Sequence, residues 1–223
     1  MTRQTRDATP DPRPASASAR AYEWISTAIL TGVFHEGQFL DEVELSHAVG
    51  TSRTPVREAL HRLQAERFID ILPRRGAQVR TISARELHEV YATRFVIESH
   101  AFEEIIAHRK TLPEAATTVA DELFTAGQKR SWYDVAQCDQ RLHSLLVAHA
   151  GNQVMSELYD SLQPRQVRLA VRTISTAPER LSTIHSEHLD IIRHLNAGDL
   201  TAAVITLRQH LDRIPSLMRT FSE

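Results

Sequence analysis

The chain has a single cysteine, Cys138, among 223 residues, and only seven glycines. One thiol excludes an intramolecular disulfide framework and a cysteine-based zinc finger, and it suits a reducing cytoplasm. No apolar run approaches the length of a membrane span, and the N-terminus lacks the hydrophobic stretch of a signal peptide, so no membrane partner is expected. Neither charge sign is in excess: 26 Lys and Arg face 28 Asp and Glu, a formal charge of −2. That balance excludes a uniformly basic nucleic-acid-binding surface. Any affinity for DNA must come from a local cluster, for which Arg53, Arg57, Arg62, Arg67, Arg74 and Arg75 are the candidates. What is present is 42% hydrophobic residues in long stretches of helical period, enough for a sizeable core in one or two domains. Scarce glycine and that periodicity predict a mainly α protein.

Residues 1–18 are rich in Pro, Ala, Ser, Thr and Arg without apolar periodicity and read as a disordered tail, with Asp7 and Asp11 diluting any basic arm. Residues 19–80 carry a different pattern. Tyr22, Ile25, Ile29 and Leu30 predict a first helix from about Arg20 to Leu30, and residues 34–39 predict a turn. Val43, Leu45, Ala48 and Val49 predict a short amphipathic helix that stops at Gly50, which adopts positive φ at little cost. Ser52 or Thr54 can cap the next helix, with Pro55 in its first turn, where a missing N–H does no harm. Val56, Leu60 and Leu63 form its buried stripe and leave Arg53, Thr54, Arg57 and His61 on other faces. This is the helix-turn-helix plan for a DNA major groove, though a helical hairpin with a solvated basic face has the same periodicity. The following residues favour DNA. Phe68–Leu72 predicts a strand, Pro73-Arg74-Arg75-Gly76 a turn, and Ala77–Arg80 the returning strand. Such a wing can lay Arg74 and Arg75 along the backbone or into a minor groove.

The run Thr51-Ser52-Arg53-Thr54-Pro55-Val56-Arg57-Glu58-Ala59-Leu60, followed by Leu63 and the Arg-Gly wing, resembles the winged helix-turn-helix of GntR-type bacterial transcription regulators. The resemblance implies that Arg53 and Arg57 read bases and phosphates of double-stranded DNA. It implies that Thr54 and Pro55 seat the recognition helix on the backbone, and that Gly76 lets the wing approach. In one departure, Val43 stands where some relatives carry a DNA-contacting arginine.

Beyond the linker at Thr81-Ile82, residues 83–221 read as an antiparallel bundle of about six helices. Ser83-Ala84-Arg85-Glu86 has the form of a capping box opening the first. Pro113, Ser131, Asn152, Pro178 and Asp199 open the others, and Pro164 predicts a kink or break within the fourth. On the third, Asp139 and His143 are spaced i, i+4 and point the same way. His188 and His210 sit within apolar stripes of the fifth and sixth, where an imidazole needs a partner. Three imidazoles and a carboxylate meeting in a bundle would suit a divalent cation, Zn²⁺ foremost, with Ni²⁺, Mn²⁺ or Fe²⁺ as alternatives. Spacing alone leaves open that each is an ordinary core or surface histidine, with His185 as the rival ligand.

Asp139-x3-His143, Asn152 after Ala150-Gly151, His188 in Glu187-His188-Leu189-Asp190, and Gln209-His210-Leu211 resemble the FCD domain of the FadR subfamily, with a helix count similar to its shorter VanR type. The resemblance implies that Asp139, His143, His188 and His210 hold the cation and that a small organic acid completes its coordination. It implies an effector contact for Arg94, although pairing of Arg94 with Glu98 or Glu103 remains open; Asn152 is the second candidate effector residue. The expected protein is a cytoplasmic homodimer, acting as a repressor on a palindromic operator and sensing a small carboxylate through its metal. A sensor of the metal itself and a metalloenzyme are the alternatives, the latter disfavoured because no further acid or base is placed by spacing.

Overall fold

Apolar spacing builds the N-terminal unit. The computed structural model describes residues 16–218, with side chains as far as residue 212. The expected tail therefore lies outside the described residues through residue 15, while Ser16 already caps a helix by accepting from the Ala19 N–H. That helix, α1 (Ala17–Leu30), packs its Ala21, Ile25 and Ile29 against α3 (Arg53–Ala65), whose Val56, Leu60 and Leu63 are fully buried. Between them, α2 (Glu42–Val49) is capped by Asp41, which accepts from Val43 and Glu44 N–H, and is closed by Gly50 at φ +69°. Strands β2 (Ile69–Leu72) and β3 (Gly76–Val79) form the expected hairpin, pairing Ile69 with Val79 and Leu72 with Gly76.

A third strand, β1 (Phe39–Leu40), pairs antiparallel with β3 and gives the sheet order β1-β3-β2. The sequence reading places a turn through residue 39. Two residues with only Leu40 buried carry no alternation, so this strand exists only because β3 presents an edge.

The C-terminal unit contains seven α-helices among the described residues, not six: α4 (Ala84–Ala107), α5 (Ala115–Gln128), α6 (Trp132–His149), α7 (Gln153–Ser161), α8 (Gln163–Thr176), α9 (Leu181–Ala197) and α10 (Leu200–Met218). The expected fourth helix is two. Leu162 ends α7 and caps α8, since Pro164 in the first turn of α8 has no N–H to continue the earlier ladder. The expected end of the last helix near Phe221 falls outside the described residues. Ser83 accepts from the Glu86 N–H and opens α4, and Pro178–Arg180 is a 3₁₀ turn leading into α9. No helix among the described residues is long and apolar enough to cross a membrane.

Helix α6 is the centre of the bundle, contacting α4, α5, α7 and α8, with Leu142, Leu146 and Val147 in the main core. Any polar residue on its inner face is thus surrounded by other helices. One close approach limits α5: a Cβ at Gly127 would lie 2.3 Å from Leu181 Cδ1 and 2.9 Å from its Cγ. Gly127→Ala is expected to destabilise the protein by about 1–3 kcal/mol, as overpacking does. Urea unfolding checks this; an unchanged midpoint would mean that α9 yields freely.

The two units share packing. Val167 of α8 and Ala136 of α6 complete the apolar core of the N-terminal unit. Arg168, largely buried, donates from Nη1 to the Arg67 carbonyl at 3.1 Å and from Nη2 to the Arg80 carbonyl. Arg172 pairs with Glu36.

Candidate metal centre and nucleic-acid interface

Because α3 buries Val56, Ala59, Leu60 and Leu63, helical phase leaves Arg53, Thr54 and Arg57 exposed and Pro55 half-buried in its first turn. Arg53 and Arg57 are one turn apart, and both donate to Glu42 Oε2 at the start of α2, at 3.3 and 2.7 Å. Arg74, Arg75 and Gly76 lie exposed at the tip of the wing, Gly76 with φ +87°. That conformation accounts for a glycine there. One member of the expected basic cluster is engaged elsewhere. Arg62 pairs with Glu66 and covers the Tyr22 ring at 3.6 Å, in a cleft facing α6 and α8.

The second constellation lies in the bundle. Helix α6 supplies Asp139 and His143, α9 His188 and α10 His210. Their four ligating atoms all lie within 4.8 Å of one another. His188 Nε2 is 3.2 Å from both His143 Nε2 and Asp139 Oδ1, and His143 and His210 Nε2 each stand 3.8 Å from the same oxygen. The three imidazoles are at most 2% exposed, and Asp139 is 14% exposed. His185, the rival, is not among them: its Nε2 is 3.0 Å from Asp121 Oδ1 and its ring stacks on Phe124.

The outer shell sets the chemistry. Two buried carboxylates face the far side of the rings: Glu98 Oε2 is 2.6 Å from His143 Nδ1, and Glu187 Oε2 is 2.9 Å from His210 Nδ1. Each carboxylate accepts a hydrogen bond from Nδ1–H, which selects the tautomer whose Nε2 lone pair points inward. Two such nitrogens, each 3.8 Å from one carboxylate oxygen, bring lone pairs together that a cation among them would relieve. Donors bound at about 2.1 Å in a tetrahedral or octahedral shell are spaced by roughly 3.0–3.4 Å. The residues fit a divalent cation. Burial pushes the His188 imidazole down to about 4, keeping it neutral as a metal ligand must be. Burial opposes ionisation of Asp139, yet His143, His188 and Arg94 hold it well below the usual carboxylate range.

Arg94 resolves the alternatives left by sequence in favour of Glu98, to which its Nε donates at 2.9 Å; Nη1 is 3.6 Å from Asp139 Oδ2. Glu103 is exposed and lies beside His100. Arg94 is fully buried, and its Nη2 makes no hydrogen bond of normal geometry, nor does the Tyr91 hydroxyl. Tyr159 donates to Glu98 Oε1 at 2.7 Å. A cavity of about 30 Å³ borders Asp139 and His210, lined also by Tyr91, Ala170, Thr173 and Ile174. A larger one of about 580 Å³ opens between the two units and touches none of the four ligands.

Asn152 is exposed and caps α7, its side-chain oxygen accepting from the Met155 N–H at 3.1 Å, and it is not one of the four clustered residues. Sequence reasoning missed Glu42, Tyr91, Glu187 and Tyr159. Glu187 adjoins His188 in sequence, yet it serves the histidine of the next helix, which spacing within one helix cannot reveal.

The FCD domain family matches residues 89–213, and the family of bacterial regulatory proteins, gntR family, matches residues 17–79. An HTH-type transcriptional regulator from the TAR-I ttuE-ttuC' intergenic region of Agrobacterium vitis is 34% identical over 143 residues, 61% of this chain and 82% of its own. The gluconate operon transcriptional repressor of Bacillus licheniformis is 25% identical over 207 residues, 90% and 84% of the two chains. A GntR transcriptional regulator from Rhodococcus sp. RHA1 has a similar structure, with a TM-score of 0.79 at 23% identity over 94% of this chain and 100% of that one.

Proposed function

The chain belongs to the GntR family of bacterial regulatory proteins and carries an FCD domain, and on that premise we propose that this transcription regulator senses a small carboxylate through a metal-centred site. It is a DNA-binding regulator and not an enzyme. The observation that carries the finer reading is the pair of outer-shell carboxylates, Glu98 and Glu187, that orient His143 and His210 inward. A protein gains nothing from burying that many donors without a cation for them to hold.

Asp139, His143, His188 and His210 would hold the ion, Zn²⁺ foremost and Ni²⁺, Mn²⁺ or Fe²⁺ as alternatives. The ion would supply a Lewis-acid anchor for an oxygen of the effector. Arg94 Nη2 and the Tyr91 hydroxyl, buried beside Asp139 with unused hydrogen-bonding capacity, are suited to receive the carboxylate. The cavity at Asp139 is small, about 30 Å³, so an organic acid would displace its walls.

Helix α8 is one of those walls. Its Ala170, Thr173 and Ile174 line the cavity, while its Val167, Arg168 and Arg172 grip the winged unit. Displacing α8 would therefore move the reading head, provided the acid binds the two arrangements unequally. Two copies acting together would read an inverted repeat in the cytoplasm. Val96 on α4 and Val154 and Leu158 on the adjacent α7 are apolar and at least 60% exposed, which supports association through that face. Repression is the expected mode, in keeping with the repressor of the gluconate operon among the relatives.

Arg53, Thr54, Pro55 and Arg57 are proposed to meet the major groove, and Arg74, Arg75 and Gly76 the flanking backbone. Arg57→Ala is expected to weaken operator binding by about 1–3 kcal/mol without unfolding the chain. Unchanged affinity in a gel-shift titration at fixed salt would remove Arg57 from the interface.

Titrating small organic acids into the metal-loaded protein on its operator, followed by fluorescence anisotropy, tests the sensing reading. Release or tightening by at least one acid, abolished by a chelator, supports it. Indifference to every acid, with a response to chelation alone, would make the cation itself the signal.

A further inference from the structure

An acid stands among the exposed arginines of α3. Glu42 is the first residue of α2, and its Oε2 accepts from both Arg57 Nε at 2.7 Å and Arg53 Nη2 at 3.3 Å. If neutralisation of surface charge were its only effect, a carboxylate here would be a handicap, since it stands where phosphate oxygens are to be met. Its geometry points elsewhere. A guanidinium is planar, and an acceptor bound at Nε fixes that plane while leaving both terminal nitrogens of Arg57 pointing onward as a two-donor fork. That fork matches the O6 and N7 atoms of guanine in the major groove. Arg53 spends a terminal N–H on the same oxygen and keeps less of that fork, which suits it to a phosphate.

We infer that Glu42 is a positioning residue for base readout, holding Arg57 in the plane of a guanine edge and so setting sequence preference at one position of each half-site. This rests on the reading that α3 enters the major groove. Glu42 itself touches no base; it acts through Arg57. Two consequences have opposite signs. Toward any DNA its negative charge opposes binding, and toward the right sequence it prepays the ordering of a flexible side chain that is 56% exposed. Removing the acceptor while keeping about the same size should thus leave binding to arbitrary DNA unchanged or tighter, and binding to the preferred site weaker.

The test uses the full-length chain. Selection from a random duplex pool with the wild-type protein yields the operator, and anisotropy titrations at one salt concentration compare that operator with a scrambled duplex for wild type, Glu42→Leu and Arg57→Lys. The expected result is a fall of about tenfold in the operator-to-scrambled affinity ratio for Glu42→Leu, which has no acceptor for Arg57 Nε, with scrambled affinity unchanged or raised. Combining it with Arg57→Lys should add little to the loss from Arg57→Lys alone, because the two act as one unit. An undiminished ratio, with both affinities rising together, would overturn the inference and leave Glu42 as a repulsive charge only. A wild-type pool that converges on no sequence would instead overturn the groove-reading premise. Asp41, which caps α2, is untouched by the substitution, and an unchanged thermal midpoint confirms that α2 is intact.

Discussion

Replacing His188 with alanine is expected to bring bound metal well below one ion per chain, read by elemental analysis of the purified protein. His188 Nε2 stands within 3.2 Å of two of the other three ligands, so its loss opens the shell on the side of α9. Outer-shell changes alone typically cost 10–100-fold in metal affinity, and removal of a ligand costs more. The thermal signature follows by mass action. Zn²⁺ at about 100 times its Kd should stabilise the wild type by about 2.7 kcal/mol and the variant by almost nothing. His185→Ala is the matched control, three residues away but engaged with Asp121 and Phe124, and it should keep its metal. Any response of DNA binding to an organic acid should vanish in the His188 variant, while binding to the operator persists. Full metal content in that variant would remove His188 from the site.

Glu98→Ala carries the largest expected loss of stability. Glu98 is fully buried and accepts from Arg94 Nε at 2.9 Å, from Tyr159 at 2.7 Å and from His143 Nδ1 at 2.6 Å. Burial opposes its ionisation, yet His143 and Arg94 hold its carboxyl down at about 2, so it is an anion under all ordinary conditions. Truncation leaves the Arg94 guanidinium buried without its counter-charge, a defect of about 3–5 kcal/mol. For a chain of this size that corresponds to a fall in Tm of roughly 6–20 °C. Glu98→Gln keeps the volume and an acceptor for Arg94 and should unfold less readily. It no longer enforces the Nδ1–H tautomer of His143, however, so metal affinity should still drop by about 10–100-fold in a chelator competition. A Tm for Glu98→Ala within about 2 °C of wild type would show that Arg94 finds other compensation.

These two residues illustrate what was readable and what was not. His188 stands out in the sequence because an imidazole inside an apolar helical stripe is out of place unless something holds it. Asp139 and His143 stand out together because one helical turn separates them. Arg53, Thr54 and Arg57 are visible by the same logic, as polar residues on a helix whose opposite stripe is Val56, Leu60 and Leu63, with Pro55 marking its first turn. In each case a period of 3.6 within one helix carries the information. Glu98 and Glu187 were not legible as partners of His143 and His210, which lie 45 and 23 residues away on other helices. Asn152, which follows Gly151 and opens a helix, has a local task in capping it that spacing alone does not separate from a role at the site. The same limit explains strand β1, which has no period of its own and follows from the edge of β3.

By itself, then, the order of residues determined which segments are helical, where the wing turns, and which side chains are candidates for DNA and metal. Those are properties of neighbours along a chain. Only the folded molecule decided that α6, α9 and α10 bring four donors to one point, that Glu42 reaches across to two arginines, and that α8 touches both the cavity and the reading head. Helix-to-helix adjacency comes from the mutual fit of whole apolar faces, a property of the assembled core that no single segment contains.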